Sequence, residues 1–337
     1  MGEARTYLVT GGLGFLGAPL VKALLESGHA VRVFDNGSRG SAARLGRALE
    51  DVELIQGDIR DAEAVARALQ GADGVCHFAS VNGTQFFYEK PVEVLEVGVK
   101  GMLNVLDGCR RAGVGELILA SSSEVYQTPP TVPTDETAPL SIPDPFNPRY
   151  SYGGSKIISE LMAIHYGRAS FERVLIVRPH NVFGPDMGWE HVIPQFVTRL
   201  MQLKGSRGGS EMPFPIQGTG EQSRSFIYLD DFIAGLMLVI TRGEHLNLYH
   251  LGTREERTIR DVAHQVAACL GMRIRIEPGP DAAGSAPRRC PEIGKLERLG
   301  FRPRWTFQEA LATTVRWYAA RLESSGAPAV AGGAGHD

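Results

Sequence analysis

Apolar and polar positions follow two rhythms over the first half of the chain. Short apolar runs, TYLVT (6–10), AVRVFD (30–35), VELIQGDI (52–59), GVCHFAS (74–80) and ELILASS (116–122), read as buried strands. Between them lie stretches of helical periodicity: APLVKALLESG, ending at Gly28, then residues 61–70 and 92–112. Alternation on this scale predicts parallel strands joined by right-handed helical crossovers. The fold class is therefore α/β, with a doubly wound parallel sheet.

Beyond residue 175 the rhythm loosens. VLIVRPHNVFGP is a sixth strand running into a loop, followed by a helix near 191–203 and the Gly/Ser-rich stretch GSRGGSEMP (205–213), expected to be mobile. NLYHLGT (247–253) reads as a strand returning to the sheet. TIRDVAHQVAACLG and TFQEALATTVRWYAARL read as amphipathic helices. The expected division is a first domain over 1–175, to which 224–255 returns, an interleaved smaller domain from 176–223 and 256–322, and a disordered tail over 323–337. No internal repeat is visible.

Composition narrows the function classes. The 337 residues are 43% hydrophobic and 22% charged with a formal charge of −3, which argues against disorder and against a cationic nucleic-acid binder. Cys76, Cys109, Cys269 and Cys290 show no C-x-x-C spacing, so neither a metal site nor a disulfide framework is expected, and a reducing cytoplasm suits them. The N-terminus leads directly into a strand, and no apolar run approaches the ~20 residues that span a bilayer. Neither secretion nor membrane insertion is expected.

The first candidate site is VTGGLGFLG, in which Gly11, Gly14 and Gly17 stand at G-x-x-G-x-x-G spacing between strand and helix, with Phe15 and Leu16 in the same turn. Missing side chains let a diphosphate approach the backbone at a helix N-terminus. Asp35 ends the second strand, where a carboxylate bonds a ribose 2′-hydroxyl and repels a 2′-phosphate, so NAD is expected over NADP. Arg39 either reaches toward such a phosphate or is a solvated loop residue. Asp58 and Ile59 of GDIRD offer an adenine edge and face, although Asp58 serves equally as a turn or cap residue. In YGGSK, Tyr152 and Lys156 are four apart on an expected helix and share a face. An ammonium and an oxidised nicotinamide would both favour the phenolate.

With TGGLGFLG, GDIRD, SSSEVY, YGGSK, RPHNVFGP, SRSFIYLDD and LGFRPRW in this order, the chain resembles the extended short-chain dehydrogenase/reductase family, specifically its nucleotide-sugar epimerases and dehydratases, over about residues 6–320. The resemblance implies a Rossmann-type sheet with bound NAD and a smaller C-terminal substrate-binding part. It also implies a nucleotide-diphosphate sugar as substrate and a homodimer formed by helices near 92–112 and 151–168. Ser122 is then expected to align the sugar oxygen that Tyr152 deprotonates, with Lys156 lowering the phenol pKa.

Glu124 stands where related 4,6-dehydratases carry a carbon-proton base, and burial is expected to raise its pKa. Ser123 replaces the dehydratase acid. Ser122-Ser123-Glu124 also resembles the Thr-Ser-Glu of uronic-acid decarboxylases, whereas typical 4-epimerases lack this glutamate, so a structural carboxylate is the alternative role. The resemblance assigns Asn181 to the substrate near its diphosphate. His180 is either a second acid/base group or a hydrogen-bonded core residue, and His191 is a weaker candidate. Arg224 and Arg289, with Arg288 as substitute, suit a diphosphate. Gly98 and Gln127 depart from family habit, where asparagine and glycine are usual, and Phe86, Phe87 and Tyr88 offer pocket walls or core. The favoured activity is an NAD-dependent nucleotide-sugar epimerase working through a transient keto-sugar. The alternative is a dehydratase or uronic-acid decarboxylase that starts with the same oxidation.

Overall fold

The structure, a computed structural model, describes residues 3–204, 211–280, 284 and 286–325. Along the chain come β1 (Thr6–Thr10), α1 (Gly17–Glu26), β2 (Ala30–Asp35), β3 (Val52–Gln56), α2 (Ala62–Ala68), β4 (Gly74–His77), α3 (Thr84–Glu89), α4 (Pro91–Leu95), α5 (Gly101–Ala112), β5 (Glu116–Ala120), α6 (Tyr150–Ser170) and β6 (Arg173–Pro179). The second half adds β7 (Val182–Phe183), α7 (Val192–Lys204), β8 (Met212–Ile216), β9 (Ser223–Ser225), β10 (Ile227–Tyr228), α8 (Leu229–Arg242), β11 (Asn247–Leu251), β12 (Glu256–Thr258), α9 (Ile259–Cys269), β13 (Ile274–Pro278), β14 (Arg288–Arg289), α10 (Gly294–Arg298) and α11 (Phe307–Ser325).

Seven strands form one sheet in the order β11-β6-β5-β4-β1-β2-β3, and every pairing in it is parallel. This is the Rossmann-type doubly wound sheet expected from the alternation. One face packs Leu20, Val21 and Leu24 of α1 and Phe232, Leu236 and Val239 of α8 against Val9, Val33 and Val177. The other buries Val65 of α2 and Val105 and Leu106 of α5 against Leu8, Val75 and Leu117. Fully parallel strands need both faces covered, which is why the central β1, β4 and β5 are buried almost from end to end rather than at alternate positions. A separate core joins α7, α9 and α11 through Ile193, Leu200, Val262, Val266, Leu311 and Val315. Ile293, Leu296 and Phe301 pack on the large sheet with α8 rather than in that second core.

Three local differences from the sequence reading have physical causes. The helix expected over 92–112 is interrupted at Glu96–Lys100 by a wider turn. There a Cβ on Gly98 would strike the Ser155 side chain at 2.6 Å, so the glycine lets α6 come close. Met212 and Pro213, placed by composition in a mobile loop, belong to β8, where they pair with Ile274 and Arg275; residues 205–210 of that stretch lie outside the described residues. The last helix continues through Ser325, three residues into the expected tail, and 326–337 are likewise outside the description. Among the described residues no helix is long and apolar enough to cross a membrane.

Candidate active site

The glycine turn follows β1. Gly11 has φ +71°, a region costly for side chains, and a Cβ on it would meet the Ala79 amide nitrogen at 2.8 Å. At Gly17 a Cβ would sit 2.1 Å from the Gly11 carbonyl oxygen. Only glycine closes this turn, and Gly14 donates its N–H to that same carbonyl at 3.0 Å. Phe15 packs toward the C-terminal core and Leu16 toward the α1 face, so the turn is held from two sides. Asp35 is buried at the end of β2 and accepts the amides of Leu13 (3.0 Å) and Gly37 (2.8 Å), which fixes its carboxylate beside the turn. These features fit a dinucleotide.

Two residues expected at the adenine are engaged elsewhere. Asp58 accepts the Arg60 amide at 2.9 Å and the Arg60 guanidinium at 2.7 and 3.0 Å, and these bonds pull its pKa down to about 2. These are the bonds of a turn residue, and the adenine contact stays a proposal. The Ile59 side chain is buried in the core, against the place where a Cβ on Gly101 would lie. Arg39 is an exposed loop residue, yet its charge is engaged. Its guanidinium pairs with Glu190, donates to the Asn82 carbonyl and lies 4.8 Å over the Phe86 ring. Arg44 pairs with Asp186 at 2.7 Å, a second link between the β2 side and the loop before α7. His191 is half-buried beside Glu190 in this loop, and desolvation lowers its pKa.

Ser122, Tyr152 and Lys156 converge at the C-terminal edge of the sheet. Gly153 explains how: its Cβ would lie 2.5 Å from Gln127 Nε2 and 2.9 Å from the Glu124 carbonyl, so α6 rests directly on the turn after β5. Ser122 and Ser80 lie beside the Tyr152 hydroxyl and act to lower its pKa. Sequence reasoning missed Ser80. It follows β4 just as Ser122 follows β5, and those two strands are paired in parallel. Phe87 stacks on the Tyr152 ring at 4.9 Å, whereas Tyr88 is exposed.

Burial raises the Tyr152 pKa to about 12, against the two serines that act to lower it; the expected lowering by Lys156 does not prevail. The Lys156 ammonium lies 5.6 Å from the Tyr152 ring centre and donates to the Ala120 carbonyl at 2.8 Å. Burial brings its pKa down to about 8, with Glu160 opposing. His77, buried nearby and bonded to Thr10, falls to about 3, from burial first and the Lys156 charge second.

Glu124 behaves unlike the sequence expectation. Burial does push its pKa up, but the guanidiniums of Arg289, Arg149 and Arg224 outweigh that and hold it below the usual range. Arg289, buried on β14, grips both carboxylate oxygens and donates from Nε to the Gln127 carbonyl at 3.2 Å. Arg288 points outward to Glu256. Arg224 is half-buried beside the pair, and its pKa falls to about 10 from desolvation and then the neighbouring Arg289 charge. Arg149 was not singled out from sequence, because nothing in PRYSY marks it as inward-facing. Asn181 spends its amide nitrogen on the Ser225 carbonyl at 2.7 Å. His180 is buried at the end of β6.

Fold and site together define a dinucleotide-dependent enzyme in which Ser122, Tyr152 and Lys156 lie close to the arginine cluster around Glu124. The chain belongs to the NAD dependent epimerase/dehydratase family, whose model matches residues 7–252. It is similar to a dTDP-glucose 4,6-dehydratase from Streptomyces venezuelae solved with NAD bound, at 33% identity and a TM-score of 0.83, covering 95% of this chain and 98% of that one. A UDP-glucose 4-epimerase from Thermotoga maritima, solved with UDP-glucose, superposes with a TM-score of 0.81 at 26% identity, covering 94% and 99%. A UDP-glucuronic acid decarboxylase from Danio rerio is 29% identical over 95% of this chain and 74% of that protein. The cofactor is NAD, and the class is that of nucleotide-sugar epimerases, dehydratases and decarboxylases.

Proposed function

We propose that the protein is an NAD-dependent nucleotide-sugar epimerase that inverts the carbon it first oxidises. Tyr152 takes the sugar hydroxyl proton, Ser122 and Ser80 align the oxygen and stabilise the phenolate, and the Lys156 ammonium supplies positive charge beside it. NAD, when bound, accepts and returns the hydride, so there is no net redox change. Arg149, Arg224 and Arg289 carry three charges against the single one of Glu124, and the surplus suits a nucleotide diphosphate.

The observation that carries this choice is the state of Glu124. A carboxylate clamped by Arg289 with a lowered pKa is a weak base for a carbon-bound proton, and Ser123 cannot serve as the acid of a dehydration. Inversion at the oxidised carbon needs neither group. Turnover of a panel of UDP-, dTDP- and GDP-hexoses in heavy water tests this: an epimer without ring deuterium is expected, and a labelled or dehydrated product overturns it.

One observation favours a second reading, uronic-acid decarboxylation. The arginine-rich pocket already holds one carboxylate, that of Glu124, and an acidic sugar would find the same charge there. Carbon dioxide release from UDP-glucuronate would establish this reading in place of the first.

A further inference from the structure

The mechanism leaves one buried group unused. His180 is 2% exposed, and neither Nδ1 nor Nε2 has a hydrogen-bond partner. Any neutral tautomer carries one N–H and one lone pair, so a donor and an acceptor are both unmet. Burial holds the ring neutral, with His250, Arg289 and Arg178 adding to the effect.

Its neighbour shows what a structural histidine looks like in this fold. The His250 ring lies edge-on to His180 at 4.8 Å, yet its nitrogens meet the Tyr126 hydroxyl at 2.6 Å and the Glu292 carbonyl at 2.9 Å. His180 lies near the segment that carries Arg289: a Cβ on Gly252 would touch both His180 and Pro291, and the Arg289 charge acts on the ring. The backbone is strained on both sides of this corner. Asn181 has φ +41° and Gln127 has φ +53°, left-handed values that non-glycine residues seldom adopt, and Gln127 Oε1 is a further buried atom without a partner.

We propose that His180 recognises a hydroxyl group of the sugar, in a subsite it shares with Gln127 and Arg289. A hydroxyl donates and accepts, and so meets both needs of a neutral imidazole. A phosphate only accepts and would leave a lone pair facing its charge, while an apolar group would meet neither need. This inference rests on the nucleotide-sugar reading and adds to it which residue reads the sugar rather than the nucleotide.

The test compares wild type with His180→Phe, His180→Leu and His180→Gln, measuring Tm without ligand and the affinity for a turned-over hexose against its matching nucleoside diphosphate. Replacing unmet polar atoms with an apolar side chain should raise Tm by about 2 °C in at least one of the Phe and Leu variants. Both should bind the nucleotide sugar about tenfold more weakly and the nucleoside diphosphate as before, and Gln should recover part of the loss. A lower Tm in both apolar variants overturns the proposal whatever the ligand panel shows, because the imidazole is then satisfied within the core. Unchanged nucleotide-sugar affinity, or equal weakening of both ligands, also overturns it. Failure of wild type to act on any hexose is a separate result that removes the nucleotide-sugar reading, and the Tm comparison still decides whether His180 is a core residue.

Discussion

The Glu124 carboxylate and the Arg289 guanidinium, 165 residues apart in the chain, form a two-pronged ion pair beside Arg149 and Arg224. Arg289 is the more buried partner, so removing its counter-charge leaves a cation among Arg149 and Arg224. Glu124→Gln is expected to lower stability by about 1–3 kcal/mol, measured by urea unfolding. It should also retain the first oxidation, seen as NADH absorbance with substrate. Loss of epimerisation with that oxidation intact would instead make Glu124 a base.

Ser80 lies with Ser122 beside the Tyr152 hydroxyl, and each acts to lower the tyrosine pKa. Ser80→Ala should therefore raise it further. At neutral pH kcat is expected to drop about tenfold, and the rising limb of the pH–rate profile should move to higher pH. A smaller kcat with an unmoved limb would assign Ser80 to substrate placement alone.

Asp35 gives NAD its expected advantage over NADP, since a 2′-phosphate would face a carboxylate fixed by two backbone amides. Calorimetry should show NAD binding at least about tenfold tighter. Arg39 is kept from this region by Glu190. Glu190→Gln should release it and narrow the preference, and an unchanged ratio would mean that Asn82 and Phe86 hold Arg39 unaided.

Val92, Leu95, Leu103, Ile158 and Leu161 are exposed apolar residues on α4, α5 and α6. A homodimer through these helices would bury them. Light scattering at micromolar concentration should give twice the chain mass, and Leu161→Lys should shift it toward the monomer. A monomeric wild type would refute the proposed assembly.

Acid stability follows from buried histidines. His77 and His250 have folded-state values near 3 and 4, against 6.5 when free, so between those limits the unfolded chain binds more protons. Their contribution is complete above pH 6.5 and is lost as pH falls. Between pH 6.5 and 5 most carboxylates remain ionised in both states, so a falling Tm there reports mainly the histidines. His180, also held neutral by burial, adds to that fall, and a flat Tm across the window would mean that these rings are charged in the folded protein.

The alternation of apolar runs and helical stretches was enough to predict the parallel sheet, because a strand covered on both faces must be apolar at every position and a crossover needs an amphipathic helix. The glycine turn was legible for a related reason: backbone approach depends on side chains that are absent, and absence shows in a sequence. Tyr152 and Lys156 could be paired because one helical turn separates them. What the sequence could not convey were the partners that folding brings from far along the chain. Burial alone would have raised the Glu124 pKa; Arg289, brought beside it on β14, reversed the sign. Arg39 looked like a loop cation until Glu190, 151 residues away, was set against it. His180 and His250 are the same residue type at the ends of adjacent strands, and only packing gave one a full set of hydrogen bonds and left the other with none. Local periodicity is written in each segment, whereas charge state and hydrogen-bond satisfaction depend on distances that exist only once the chain has closed on itself.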